Sequence, residues 1–149
     1  MVQYPMNIHS IAFASDHRGF ALKSFLLDYA RSMKINVRDL GPDNDGPVDY
    51  PDFAMMLAND LAQGEVQRGV LICGTGIGMS IAANRHHQIR AALCHDVESV
   101  KLTRQHNDAN VLALSGFKIT EPIAAECLEA FLNTSFEGGR HAKRVAKLS

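Results

Sequence analysis

No apolar run in this sequence approaches the ~20 residues that a membrane helix needs, and neither sign of charge predominates. Fifteen Lys and Arg stand against sixteen Asp and Glu, a formal net charge of −1. That balance gives no global pull toward nucleic acid or a membrane surface. No stretch interleaves aromatic with basic residues, so no nucleic-acid partner is expected. Cysteine is scarce: three residues, an odd number and widely spaced, which argues against a disulfide framework and for a reducing compartment. No His/Cys spacing resembles a zinc site, so no metal is expected. The N-terminus, MVQYPMNIHS, has neither a basic start nor an apolar centre. No signal peptide is expected there, and the expected address is the cytoplasm.

What is present describes one domain over residues 1–149. Hydrophobic residues at 46% and charged residues at 21% suit a chain long enough to bury a core without staples. Short apolar runs predict strands over 8–14, 35–40, 69–73, 90–94 and 110–114. Between them, apolar residues three and four apart predict helices over 18–33, 52–63, 77–87, 97–105 and 120–133. Pro51 and Pro122 suit first turns, and Thr120 suits an N-cap. The segment 134–149 is a polar tail. Strand–helix alternation of this kind predicts an α/β protein with a five-stranded, mostly parallel sheet between two helical layers.

In such sheets ligands bind beyond the carboxyl ends of the strands, where the strand order reverses. If strands 2 and 3 flank strand 1, the loops after strands 1 and 3 meet at that point. They read SDHRG (15–19) and CGTGIG (73–78). Glycines let backbone N–H groups close on an anion, and the following helix adds its positive end. The alternative is a tight turn with no ligand. A nucleotide P-loop is unsupported, because Met79 occupies the position of its lysine. The dinucleotide fingerprint fails as well, since its third glycine would fall at Met79, although Asp96 stands about where a ribose-binding acid would.

Cys73 ends the third strand beside these amides, an environment that favours thiolate and suits a nucleophile or a base. Cys94 and Cys127 read as small buried hydrophobes. Thr75 offers a hydroxyl in the same loop. Asp16 and His17 bring an acid and an imidazole to the end of strand 1, with helix capping as the structural alternative. His106 and Asn107 precede strand 5, and His suits proton transfer near neutral pH. His86, His87 and His141 read as idle surface histidines. Arg140 and Arg144 are four apart and share a face if the tail is helical, an arrangement that suits a phosphate clamp. The alternative is a solvated basic tail.

SDHRGFALK, DYP, LICGTGIGMSIAAN, RQHNDANVLA and FEGGRH stand in the order and spacing of the type B ribose-5-phosphate isomerase and galactose-6-phosphate isomerase family. The chain resembles that family from about residue 8 to 145. The resemblance implies a Rossmann-like α/β/α sandwich and a cofactor-free aldose–ketose isomerase of phosphorylated sugars. It implies homodimers or homotetramers with sites at the subunit interface. By resemblance, Cys73 is the base beside the carbonyl and Gly74, Gly76, Ile77 and Gly78 hold the enediolate oxygens. Thr75 moves protons between those oxygens, and His106 opens the furanose ring. Asn107, Asp16, His17 and Tyr50 contact substrate. Arg140 and Arg144 clamp the phosphate, reaching into the adjacent subunit's site. One departure stands out: many members carry Arg where this chain has Phe117, with Lys118 beside it. The expected reaction is ribose 5-phosphate to ribulose 5-phosphate, a pentose phosphate step, through a cis-enediolate. Allose 6-phosphate and galactose 6-phosphate are alternative substrates. A non-catalytic sugar-phosphate-binding subunit is opposed by the presence of Cys73, Thr75 and His106.

Overall fold

A computed structural model describes residues 8–149; the N-terminal segment 1–7, where no signal peptide is expected, lies outside them. Five strands, β1 (Ser10–Ser15), β2 (Asn36–Asp39), β3 (Arg68–Cys73), β4 (Ala91–Leu93) and β5 (Val111–Ser115), form one sheet in the order β2-β1-β3-β5-β4. Every pairing is parallel. The expected reversal is present, with β2 and β3 on opposite sides of β1.

The strands alternate their side chains between two layers of helix, as the period of two requires. Ile11 and Phe13 of β1, Val70 and Ile72 of β3, and Leu112 and Leu114 of β5 face one layer. They pack with α1 (Phe20–Ser32), α4 (Val97–Asn107) and α5 (Glu121–Asn133) through Leu26, Val100, Leu128 and Phe131. Ala12, Ala14, Leu71 and Cys73 face the other, with Leu57 of α2 (Tyr50–Ala62) and Met79 of α3 (Ile77–Ala83). Small residues on that face bring α2 close. A Cβ on Gly69 would lie 2.5 Å from Leu57 Cδ2. The result is the three-layer α/β/α sandwich.

Two helices begin with the residues expected there. Thr120 Oγ1 accepts from the Ile123 amide at 3.4 Å, and proline occupies the first turns of α2 and α5. Asp96 caps α4, accepting from Ser99 N at 2.7 Å. That amide bond holds its carboxyl below the usual range. A capping role accounts for the acid that a dinucleotide fingerprint would have assigned to ribose.

Two helices depart from their sequence-based expectation. α3 stops at Ala83, and the Asn84 side chain there bonds both the amide and the carbonyl of Ala91. The polar tail folds into α6 (Arg140–Ala146). Gly138 and Gly139, with φ of +68° and +53°, reverse the chain in the left-handed region that glycine tolerates. α6 thereby returns against α4.

Candidate active site

Cys73, the last residue of β3, is 5% exposed. The chain then turns through Gly74, Thr75 and Gly76 into α3. Gly76 has φ +79°, and its amide donates to Cys73 Sγ at 3.2 Å. Thr75 is exposed, and its Oγ1 accepts from the Ile77 amide at 3.2 Å, leaving the hydroxyl proton free to be donated. Two of the loop's amides are thus used internally. Those of Gly74, Thr75 and Gly78 donate to no acceptor among the described residues. Donors left without an acceptor at the start of a helix suit an oxyanion. The Ile77 side chain, 51% exposed, contributes surface and not a donor.

The loop after β1 lies alongside. Asp16 is buried, and its Oδ1 accepts from the Arg18 and Gly19 amides, both at 2.9 Å. These bonds hold the turn before α1, whose N-cap is Gly19 without a side-chain cap bond, and they fix the loop that presents His17. His17 Nδ1 accepts from Val48 N at 3.3 Å, so in the neutral ring the proton sits on Nε2. His17 lines a cleft of about 630 Å³ with Val48, Asp49 and Phe53. Tyr50 opens α2 with its ring against Gly78, where an added Cβ would lie 2.7 Å from Tyr50 Cε1.

Two residues near this end carry signals that sequence reasoning missed. The buried Lys23 donates to Asp39 Oδ1 at 2.7 Å and to the Pro42 carbonyl at 2.8 Å, tying the 41–49 loop to α1. Arg18 stands with its guanidinium carbon 5.3 Å from the centre of the Phe117 ring. That ring is 60% exposed and closes on Gly74. The departure from the arginine-bearing pattern is thus accompanied by a guanidinium from another loop. Position directly after Asp16-His17 was the available clue.

The remaining candidates sit elsewhere. His106 and Asn107 form the last turn of α4, just before β5. In the register of β3 with β5, Gly69 pairs with Val111 and Cys73 with Ser115. Four residues of strand, roughly 13 Å, therefore separate the two ends. His106 and Asn107 join His141, Arg144, Val145 and Leu148 around a cavity of about 290 Å³ at the far end. Arg140 and Arg144 have no carboxylate in ion-pair range among the described residues. One chain thus places the two groups of candidate residues at opposite ends of its sheet and does not unite them.

His141 corrects its assignment as an idle surface histidine. It is 6% exposed and stacks on His106, with ring centres 4.5 Å apart and planes 18° apart. Glu137 Oε1 lies 3.6 Å from His141 Nε2 and 3.9 Å from His106 Nε2. Burial, with Arg140, His106 and Arg144, pushes the His141 imidazole below its ordinary value against the opposing pull of Glu137. The three groups place one donor atom each within 4.8 Å of one another, a cluster hidden from any reading of spacing. Rings so nearly parallel do not aim two in-plane lone pairs at one ion.

The other two thiols are buried. Burial pushes Cys94 up to about 11 and Cys127 up to about 12, which leaves both as unreactive core groups.

Comparison with known proteins agrees with this fold. Residues 11–148 match the family model described as Ribose/Galactose Isomerase. A putative sugar phosphate isomerase of Bacillus subtilis is 46% identical over 140 residues, 93% of this chain and 94% of that protein. A ribose 5-phosphate isomerase from Thermotoga maritima superposes with a TM-score of 0.93 at 44% identity, covering 95% of this chain and 97% of that one. Ribose-5-phosphate isomerase B from Mycoplasma genitalium, solved with bound ribulose-5-phosphate, gives 0.89 at 40% identity, over 94% and 93%.

Proposed function

We propose that this chain, which belongs to the Ribose/Galactose Isomerase family and is an aldose–ketose isomerase of sugar phosphates, converts ribose 5-phosphate to ribulose 5-phosphate with Cys73 as base. The observation that carries the reading is the Gly76 amide on Cys73 Sγ, beside three amides left without an acceptor. An amide donor stabilises negative charge on sulfur, and free amides beside the thiol suit charge that develops on a substrate oxygen.

The chemistry balances without a cofactor. His106 gives a proton to the ring oxygen as the bond from C1 to that oxygen breaks, and takes one from the anomeric hydroxyl. The Cys73 thiolate then removes the C2 proton of the open aldehyde. The resulting cis-enediolate rests its charge on the loop amides. Thr75 passes a proton from O2 to O1, and the Cys73 thiol returns its proton to C1, giving the ketose. Asp16, His17, Tyr50 and Asn107 orient the hydroxyls, and Arg140 with Arg144 holds the phosphate. Remote phosphate contacts of this kind orient the reacting end.

Two half-sites at opposite ends of one sheet support a homo-oligomer in which the His106 end of one copy meets the Cys73 end of another. Exposed apolar residues beside the glycine loop, Ile77 and Ile81 of α3 at 51% and 61% and Met55 of α2 at 53%, suit such a contact. The reducing compartment suggested by three unpaired thiols suits the cytoplasm.

Purified protein assayed for ketose formation with ribose 5-phosphate, allose 6-phosphate and galactose 6-phosphate tests the substrate. The five-carbon sugar is expected to have the highest kcat/KM. A higher value for either six-carbon sugar overturns the substrate; in heavy water solvent deuterium at C1 of the ketose is expected, and its complete absence favours hydride transfer or a fully shielded proton.

A further inference from the structure

We propose that His141 is a positioning residue, a flat wall that holds the His106 imidazole in the plane needed for ring opening. The inference rests on the reading above, in which His106 performs that step.

Ring opening asks one imidazole to meet two oxygens of the sugar in sequence, and a small error in its orientation is costly. His106 is poorly restrained by its own surroundings. It occupies the last turn of α4, its side chain is 40% exposed, and its nearest carboxylate stands 3.9 Å away. Two free side-chain torsions would let it wander. Stacking on His141 removes that freedom on one face, while the side chain as a whole stays 40% exposed.

The wall is itself firmly built. His141 is buried, and its amide donates to the Gly138 carbonyl at 3.0 Å. The segment leading to it is tied to α4 at two points. Glu137 N donates to Gln105 O at 3.1 Å, and Arg104 Nε donates to Thr134 O at 3.0 Å. The turn at Gly138-Gly139 then swings the ring under His106.

Its chemistry suits a support and not a second acid. His141 Nε2 is buried without a hydrogen-bond partner, an arrangement that tolerates a neutral ring and penalises a charged one. The charged and titratable groups facing it are His106 from α4, Glu137 from the tether, and Arg140 and Arg144 from α6. Arg104, also on α4, is occupied by Asp108 at 2.8 Å. With three of these groups opposing a charge on it, His141 does not compete for the proton that His106 carries.

Ring opening can be read alone. In a Cys73→Ala background isomerisation stops, and nuclear magnetic resonance exchange between the α and β furanose anomers of ribose 5-phosphate reports opening and closure. The Cys73→Ala protein is expected to accelerate that exchange, and adding His106→Asn is expected to abolish the acceleration. His141→Leu fills the space without a flat ring, and is expected to slow exchange about tenfold while calorimetric affinity for ribose 5-phosphate is kept. His141→Phe restores the ring and is expected to restore most of the exchange. Equal exchange in the Leu and Phe variants overturns the role of His141. No acceleration by Cys73→Ala, or full acceleration with His106→Asn, overturns the ring-opening reading itself.

Discussion

The Gly76 amide donates to the Cys73 sulfur across 3.2 Å, and only glycine fits the turn that puts it there. Gly76 has a φ of +79°, and a Cβ on it would stand 2.5 Å from Leu93 Cδ1 and 3.0 Å from the Leu114 carbonyl carbon. The leucine tip can move, but the backbone of β5 cannot. Cys73→Ala is therefore expected to lower kcat by more than ~10²-fold, the scale for a lost general base, with KM little changed. Gly76→Ala should lower both kcat and melting temperature, since strain in the left-handed region costs about 1–2 kcal/mol. Steady-state kinetics and thermal melts measure both, and full turnover by Cys73→Ala removes the thiol from the reaction.

Thiol labelling separates the three cysteines. Burial raises Cys94 and Cys127 to about 11 and 12, so neither forms thiolate at pH 8. Native protein treated with an aromatic disulfide at that pH should release at most one equivalent of thiolate. Cys73→Ser should abolish it. Release of two equivalents from folded protein would contradict the core assignment.

The separation of His106 from Cys73 along the sheet makes complementation informative. Cys73→Ala and His106→Asn chains should each be inactive alone. Co-expressed as a symmetric dimer, they should recover about a quarter of wild-type turnover, because half of the dimers carry one intact site. Sites confined to single chains would recover none.

Arg140 and Arg144 have no carboxylate in ion-pair range among the described residues, which suits the proposed phosphate clamp. Replacing Arg140 by Ala should raise KM for ribose 5-phosphate about tenfold, the scale of one charge-assisted hydrogen bond, and leave turnover of unphosphorylated ribose as it was. Equal losses with both sugars would remove the clamp.

His141 also ties stability to pH. Its folded-state value lies below the ordinary 6.5, so on acidification the unfolded chain takes up a proton that the folded chain does not. The associated stability is present above about pH 6.5 and is lost as pH falls through the folded value. Wild type should lose more melting temperature between pH 7 and pH 5 than His141→Phe. Identical slopes would show that His141 titrates alike in both states.

Much of this protein was legible in its letters because the information was local. Apolar runs five to seven residues long placed all five strands, and Thr120 and Pro122 placed the start of α5. Glycine spacing marked the loop after β3, since a turn's backbone is dictated by the residues within it. The meeting of the loops after β1 and β3 was conditional on strands 2 and 3 flanking strand 1, an order that the sheet supplied.

What the letters could not reveal depended on contacts between distant segments. Asn84 ends α3 by pairing with Ala91, and α6 forms where Gly138-Gly139 turns the tail back onto α4. His141 looked idle because burial and stacking are properties of neighbours supplied by the fold. The same holds for His106. Its residue type announced proton chemistry, but only the parallel register placed it a strand's length from Cys73, because a helix that starts at one end of a sheet must finish at the other.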